Sequence, residues 1–425
     1  MSAVPKKRAS ALIFCILFIL VSAAAAVAAV IYAPPPPLEP DNTPPTDVFL
    51  PPEVTDTPEP PVETPVGTPA PPADSAREIA ESFLSGMSRD EKLWQLFFIT
   101  PEQLTGYSAV TEAGTSTQTS LAARPVGGLI YFSHNIKTAQ QVQTMLSKVQ
   151  DYSSAGLFLG VDEEGGAVAR VTGNDRLEIP PVDPAGNIGA TGDTNIAELG
   201  GKQIGKALFN LGFNLDFAPV ADVLVDPNNK VIGNRSFGGD PRLVADMVEF
   251  FIRGLHNQGV AAAVKHFPGL GSVTADPHDS SADCARTLDE LRDMEFVPFQ
   301  RAIDAGAEVI MISHASMSAI DQMGAPAALS GPVIDLLRSE LGFDGVIITD
   351  SLSMAAVTRK YSPGDAAVAA ISAGADMLLM PADLQKSFNA LKAAVESGQI
   401  SESRIDESVL RILTAKVRLG LIGNL

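Results

Sequence analysis

A parallel TIM-type (β/α)8 barrel is the fold predicted for residues 74–425 of this 425-residue chain, and three observations predict it. Short apolar runs recur along the sequence with amphipathic helical patterns between them. The runs lack polar/apolar alternation, as strands buried on both faces do. Several of them end on a charged or titratable residue, and a barrel gathers such ends on one rim. A doubly wound sheet is the competing arrangement, but no Gly-x-Gly-x-x-Gly follows the first strand.

Ser88-Arg-Asp-Glu91 has the form of a capping box and opens a helix that carries Leu93, Leu96 and Phe97. Strands are predicted at 97–100, 128–132, 157–162, 215–222, 260–266, 309–314, 346–350 and 375–380, the first overlapping the helix before it. Thr287-Leu-Asp-Glu290 caps a helix that ends near Gly306, and another runs from Pro332 to Leu341 and stops at Gly342. The polar strand ends are Asp162, Asp222, Lys265 with His266, His314 and Asp350. One such residue would read as a cap on the sheet. Five strand ends, with two of the chain's five histidines among them, read as one pocket.

The densest of these ends is the stretch from Val264 to Asp279. An apolar run at 259–264 turns abruptly into Lys265-His-Phe-Pro-Gly269. Asp276 and His278 lie too far beyond His266 to share its strand, so they ride on the loop that follows.

Composition limits the alternatives. A net charge of −20 and a pI near 4.6 argue against a nucleic-acid partner, which needs a basic face, and suit an exported or surface protein. The two cysteines, Cys15 and Cys284, lie too far apart in kind and position to form a disulfide framework. No Cys-x-x-Cys or His-x-x-x-His spacing suggests a metal site, and no phosphate loop or nucleotide motif suggests a cofactor.

The N-terminus reads as an address and a tether. Lys6, Lys7 and Arg8 precede an uncharged run from Ala11 to Ala33, which as a helix would span roughly 35 Å, enough for a bilayer. The basic flank predicts a cytoplasmic N-terminus with the rest exported. A retained signal-anchor at 1–33 is favoured by the length of the run; a cleaved signal peptide is the alternative, with Ala-x-Ala sites at 23–26. Residues 34–73 hold 16 of the 32 prolines, several acids and no Lys or Arg. Such a segment cannot bury a core and reads as an extended stalk of up to about 120 Å. The catalytic-type domain is then 74–425, expected to be a monomer held at the membrane through its N-terminal helix.

The motifs resemble glycoside hydrolase family 3, and within it the bacterial β-N-acetylhexosaminidases. They are Gly160-Val-Asp-Glu-Glu-Gly-Gly166, Asn214-Leu-Asp-Phe-Ala-Pro-Val-Ala-Asp222, Ile232-Gly-Asn-Arg-Ser-Phe237, Lys265-His-Phe-Pro-Gly269 with Asp276-Pro-His278, and Gly345-Val-Ile-Ile-Thr-Asp350. The resemblance covers most of 87–420 and implies roles by position. Asp350 matches the catalytic nucleophile, and His278 the acid/base, paired with Asp276. Asp162, Arg170, Arg235, Lys265 and His266 match residues that hold a terminal N-acetylglucosamine. The segment 404–413 resembles the family's closing helix. This chain departs from the family pattern at Leu270, where a second His is usual, at Pro277, and at Glu163 and Ala167, where Gln and Arg are usual.

These residue types suit glycoside cleavage. A retaining enzyme needs an ionised nucleophile and a proton donor on either side of the scissile bond. Asp350 fits the first role; its bland alternative is the cap of a helix starting at Ser351. His278 titrates near neutrality and can give and retake a proton, with Asp276 aiming its ring. Solvated acids and a solvated loop histidine would be the bland alternative there. His134 and His256 read as surface or structural. The activity expected is retaining, exo-acting hydrolysis of terminal β-N-acetylglucosamine from exported glycans or cell-wall fragments. A phosphorylase of the same sugar and a non-catalytic glycan-binding surface protein are the other classes the sequence permits.

Overall fold

The computed structural model describes residues 73–273 and 282–422. The N-terminal apolar run, the proline-rich segment up to residue 72, and the pair Asp276 and His278 lie outside the described residues. Among the described residues no helix is long and apolar enough to cross a membrane.

All eight expected strands are present: β1 (Phe97–Ile99), β2 (Gly128–Tyr131), β3 (Phe158–Val161), β4 (Leu215–Asp216), β5 (Ala261–Phe267), β6 (Val309–Ile312), β7 (Val346–Thr349) and β8 (Leu378–Leu379). They pair in parallel in the order β7-β6-β5-β4-β3-β2-β1-β8. A parallel bridge between Ile348 and Met377 joins the two ends, so the sheet closes on itself. Helices cover the outside. Among them are α1 (Ala73–Gly86), α2 (Arg89–Gln95), α3 (Ala139–Asp151), α4 (Thr194–Leu211), α5 (Pro241–His256), α6 (Leu288–Asp293), α7 (Phe296–Asp304), α8 (Gly331–Asp335), α9 (Pro363–Ala373), α10 (Leu384–Glu396) and α11 (Glu402–Arg418).

The strands are buried along their whole length, which is why their sequences carry no alternation. Inside the barrel Phe98 of β1 meets Phe217 edge-on, with ring centroids 5.2 Å apart. Glycine on the neighbouring strands makes the room. A Cβ on Gly128 would lie 2.6 Å from the Phe98 ring, and one on Gly160 would lie 2.8 Å from Phe217. Each ring so buried contributes about 2–3 kcal/mol relative to exposure.

The Ser88 capping box forms as expected and starts α2. Several elements differ from expectation. The strand foreseen at 215–222 is regular only at Leu215–Asp216, because Pro219 has no N–H for the ladder; pairing resumes as a single bridge between Val220 and Lys265. The helix foreseen from Thr287 to near Gly306 is two helices, α6 and α7, broken at Met294 and Glu295. Pro298 explains the break. In a continuous helix it would remove an interior bond, whereas in the first turn of α7 its missing N–H needs no partner. The helix expected at 332–341 begins as α8 and ends as a π-helical turn, Leu336–Glu340, before Gly342 at φ +71°.

Candidate active site

The C-terminal end of β3 begins the site. Asp162, Glu163 and Glu164 follow it, and the chain then turns through Gly165 (φ +81°) and Gly166 (φ +56°), a left-handed pair that only glycine takes without cost. Lys265, near the end of β5, points its ammonium at this turn. It pairs with Asp162 and, at 2.6 Å, with Glu164. Glu164 in turn receives a fork of two bonds from Arg235, at 2.8 and 2.7 Å. Arg170 lies 3.7 Å from the second oxygen of Asp162. Three cations and two carboxylates thus form one network.

Burial decides the electrostatics here. It works against the Lys265 ammonium, yet Asp162 and Glu164 more than offset it, so the group stays charged with a pKa above the ordinary lysine value. Burial also pushes the Glu164 carboxyl up, but Lys265 and Arg235 together outweigh that and hold it at about 2. Glu164 side-chain exposure is 4 %, against 24 % for Asp162 and 23 % for Arg170 and Arg235. The buried acid is therefore the internal counter-ion, and the open edge of the network presents Asp162, Arg170 and Arg235.

A second carboxylate builds the loop that carries Arg170. Glu163 is fully buried and accepts the backbone N–H groups of Arg170, Val171 (2.8 Å) and Thr172 (3.1 Å) and the Thr172 hydroxyl. Its own N–H donates to Asp216 Oδ1 at 3.0 Å. Burial raises the pKa of both Glu163 and Asp216 above the usual carboxylate values, with Glu163 adding to the effect on Asp216.

His266, next along β5, packs its Nδ1 2.7 Å from Asp222 Oδ2. His314, after β6, donates Nε2–H to the carbonyl of Ser351 at 2.9 Å. Asp350 follows β7, half-buried on the same rim, and its Oδ1 accepts the N–H of Ser351 at 2.6 Å. It does not cap a helix starting at Ser351; the next helical turn is Ala355–Thr358, with Met354 at its cap.

Of the residues singled out from sequence, Asp162, Arg170, Arg235 and Lys265 are brought into one network. His266 adjoins it on β5, and Asp350 stands two strands away on β7. Leu270, the departure from the family pattern, is buried, and its N–H and C=O are held by Asp222 (2.6 Å) and Asn229 (2.7 Å). These two polar side chains anchor its backbone, so residue 270 needs no polar side chain of its own to hold the turn. His256 pairs with Glu308 (3.0 Å) and His134 with Glu102 (3.2 Å), structural contacts both. Sequence reasoning missed Glu164, the loop-holding role of Glu163 and the partnership of Asp222. For Glu164 a signal existed: it lies two residues past Asp162, and in extended chain such residues share a side.

A closed parallel barrel with a polar network at the C-terminal ends of its strands is the architecture of a TIM-barrel enzyme. The family model described as the glycosyl hydrolase family 3 N-terminal domain matches residues 88–415, and the chain belongs to that family. The chain is 36% identical over 322 residues to a β-hexosaminidase of Stenotrophomonas maltophilia (strain K279a), covering 74% of this chain and 90% of that one. It is 32% identical over 324 residues to β-hexosaminidase A of Pseudoalteromonas piscicida, covering 69% of this chain. This chain spans about half of that longer relative, 54%. Among solved structures, a family 3 β-N-acetylglucosaminidase from Paenibacillus sp. str. FPU-7 superposes with a TM-score of 0.75 at 36% identity, over 80% of this chain and 64% of that one.

Proposed function

We propose that the chain is a retaining, exo-acting β-N-acetylglucosaminidase that trims exported glycans or cell-wall fragments outside the cytoplasm, held to the membrane by its N-terminal apolar run. One observation carries the reading: Asp162, Arg170, Arg235 and Lys265, all on family motif positions, converge on the barrel rim that also bears Asp350. An open edge of two guanidinium groups and a carboxylate offers donors and acceptors in fixed directions, which is what a polyhydroxyl ring with an acetamido oxygen requires.

In this reading Asp350 attacks the anomeric carbon and forms a glycosyl-enzyme. The proton for the leaving oxygen comes from His278, aimed by Asp276, and the same imidazole then activates the water that releases the sugar. The names of the relatives support the sugar specificity, and the family motif positions support the residue roles. The test is turnover of an aryl N-acetyl-β-glucosaminide by the full chain, beside the matching glucoside and xyloside, with and without phosphate. The expected result is hydrolysis of the first at least about 100-fold faster than the others, unaffected by phosphate, with Asp350→Asn lowering kcat by about 10⁴ or more. Equal activity in the wild type and Asp350→Asn would sink the proposal, and a sugar phosphate as product would make the chain a phosphorylase. Fractionation of the host cell checks the address: activity is expected with membranes, released by protease acting between residues 34 and 72.

A further inference from the structure

The His266 imidazole has one nitrogen committed and one open. Nδ1 lies 2.7 Å from Asp222 Oδ2, while Nε2 has no partner among the described residues and the side chain keeps 8 % exposure. Asp222 itself is wholly buried, so it can touch no sugar. Both of its oxygens are spent inside the protein, Oδ2 on His266 and Oδ1 on the N–H of Leu270 at 2.6 Å. Its backbone carbonyl accepts the Ser236 hydroxyl at 2.6 Å, one residue from Arg235. Three segments of the site therefore meet at Asp222: the segment after β4 that carries it, the end of β5 and the turn beyond it.

We propose that Asp222 is a positioning residue for His266. A carboxylate between two N–H groups can only accept. It therefore fixes the imidazole proton on Nδ1 and leaves Nε2 as a bare acceptor for a hydroxyl of the bound sugar. Leu270 N–H prevents the carboxylate from turning, because any rotation would break a second buried bond. This rests on the reading that His266 contacts the sugar, but the tautomer it fixes can be measured without any substrate.

The experiment uses the full chain in detergent with ¹⁵N-labelled histidine. In the wild type the His266 signals, assigned by their loss in His266→Ala, are expected to report Nδ1–H and a bare Nε2. Asp222→Asn keeps an oxygen for Leu270 N–H but turns an amide N–H toward Nδ1, so the proton is expected to move to Nε2. Binding of N-acetylglucosamine and kcat/KM on the aryl glycoside are then expected to weaken about 10- to 100-fold. The same substitution placed in the His266→Ala background should cost nothing further. A wild-type ring protonated on Nε2 overturns the proposal and needs no variant to show it. So does an unchanged tautomer in Asp222→Asn, or an equal loss in the His266→Ala background. A wild type that neither binds nor cleaves the probes would overturn the functional reading instead, and the tautomer measurement would still decide the role of Asp222.

Discussion

Glu164 shows how one buried acid can organise a pocket it barely faces. It accepts from both Lys265 and Arg235, and without it the buried ammonium of Lys265 and the partly exposed Arg235 would stand against the single, partly exposed charge of Asp162. Removing one partner of a buried ion pair costs about 3–5 kcal/mol, most of it the charge left behind. Glu164→Gln is therefore expected to destabilise the fold by about 3 kcal/mol at neutral pH, read by urea unfolding. The sign of its pH dependence follows from the depressed pKa. The stabilisation is fully present above the ordinary glutamate value of 4.5 and is lost as pH falls toward about 2. The deficit of the variant should accordingly shrink in acid; a deficit that grows there would contradict the assignment. Residues of this kind were only partly legible beforehand. Lys265, Asp162 and Asp222 announce themselves by ending predicted strands, whereas the partners of Glu164 (Arg235 and Lys265) lie far off in the chain, where a local pattern does not record them.

At the scale of the element, the loop from Glu163 to Thr172 is held by one carboxylate that accepts four donors. A glutamine there offers one oxygen, and its amide would bring two further N–H groups against the backbone donors. Glu163→Gln is expected to cost about 1–3 kcal/mol of stability. It should also raise KM for the aryl glycoside several-fold, because Arg170 sits on the loop it loosens. An unchanged KM with reduced stability would show that Arg170 keeps its place without Glu163. Elements were the most legible level. Every strand was found, because burial on both faces leaves an unbroken apolar run. Two of the errors came from prolines: Pro219 cuts β4 short, and Pro298 divides what reads as one helix into α6 and α7. In each case a single missing N–H outweighed a favourable local pattern.

At the scale of the whole molecule, the barrel has a polar lock at the end opposite the site. Asp376, just before β8, is fully buried. It takes Arg338 from beyond α8 and, from α11, Arg411 at 3.3 Å and Ser408 at 2.7 Å. Lys416 of the same closing helix reaches Gln95 Oε1 at 2.7 Å, just ahead of β1, and the Gly156 carbonyl at 2.8 Å, just ahead of β3. The last helix is thereby bonded to the entry of the first strand, a closure that apolar periodicity alone does not announce.

Lys416 makes these bonds from a fully buried position, and burial lowers its pKa to about 7 from the ordinary 10.5. Among the described residues no carboxylate pairs with it; its other neighbours are the Ala155 carbonyl at 3.4 Å and the Phe158 ring at 5.6 Å. Between about pH 7 and 10.5 the unfolded chain holds a proton on this amine that the folded chain has released. The unfolded state binds more protons there, so this residue's contribution to stability rises with pH across that window and is level below it. From about pH 7 to about pH 9 the gain amounts to roughly 2–3 kcal/mol. Lys416→Met keeps most of the apolar stem and removes the titration. The stability difference between wild type and Lys416→Met, followed by urea unfolding at several pH values, should therefore shift in favour of the wild type by that amount between neutrality and about pH 9. A difference that stays flat would mean that the three carbonyl-type acceptors are enough to keep the buried ammonium charged, and that the lock closes the barrel as an ion rather than as an amine.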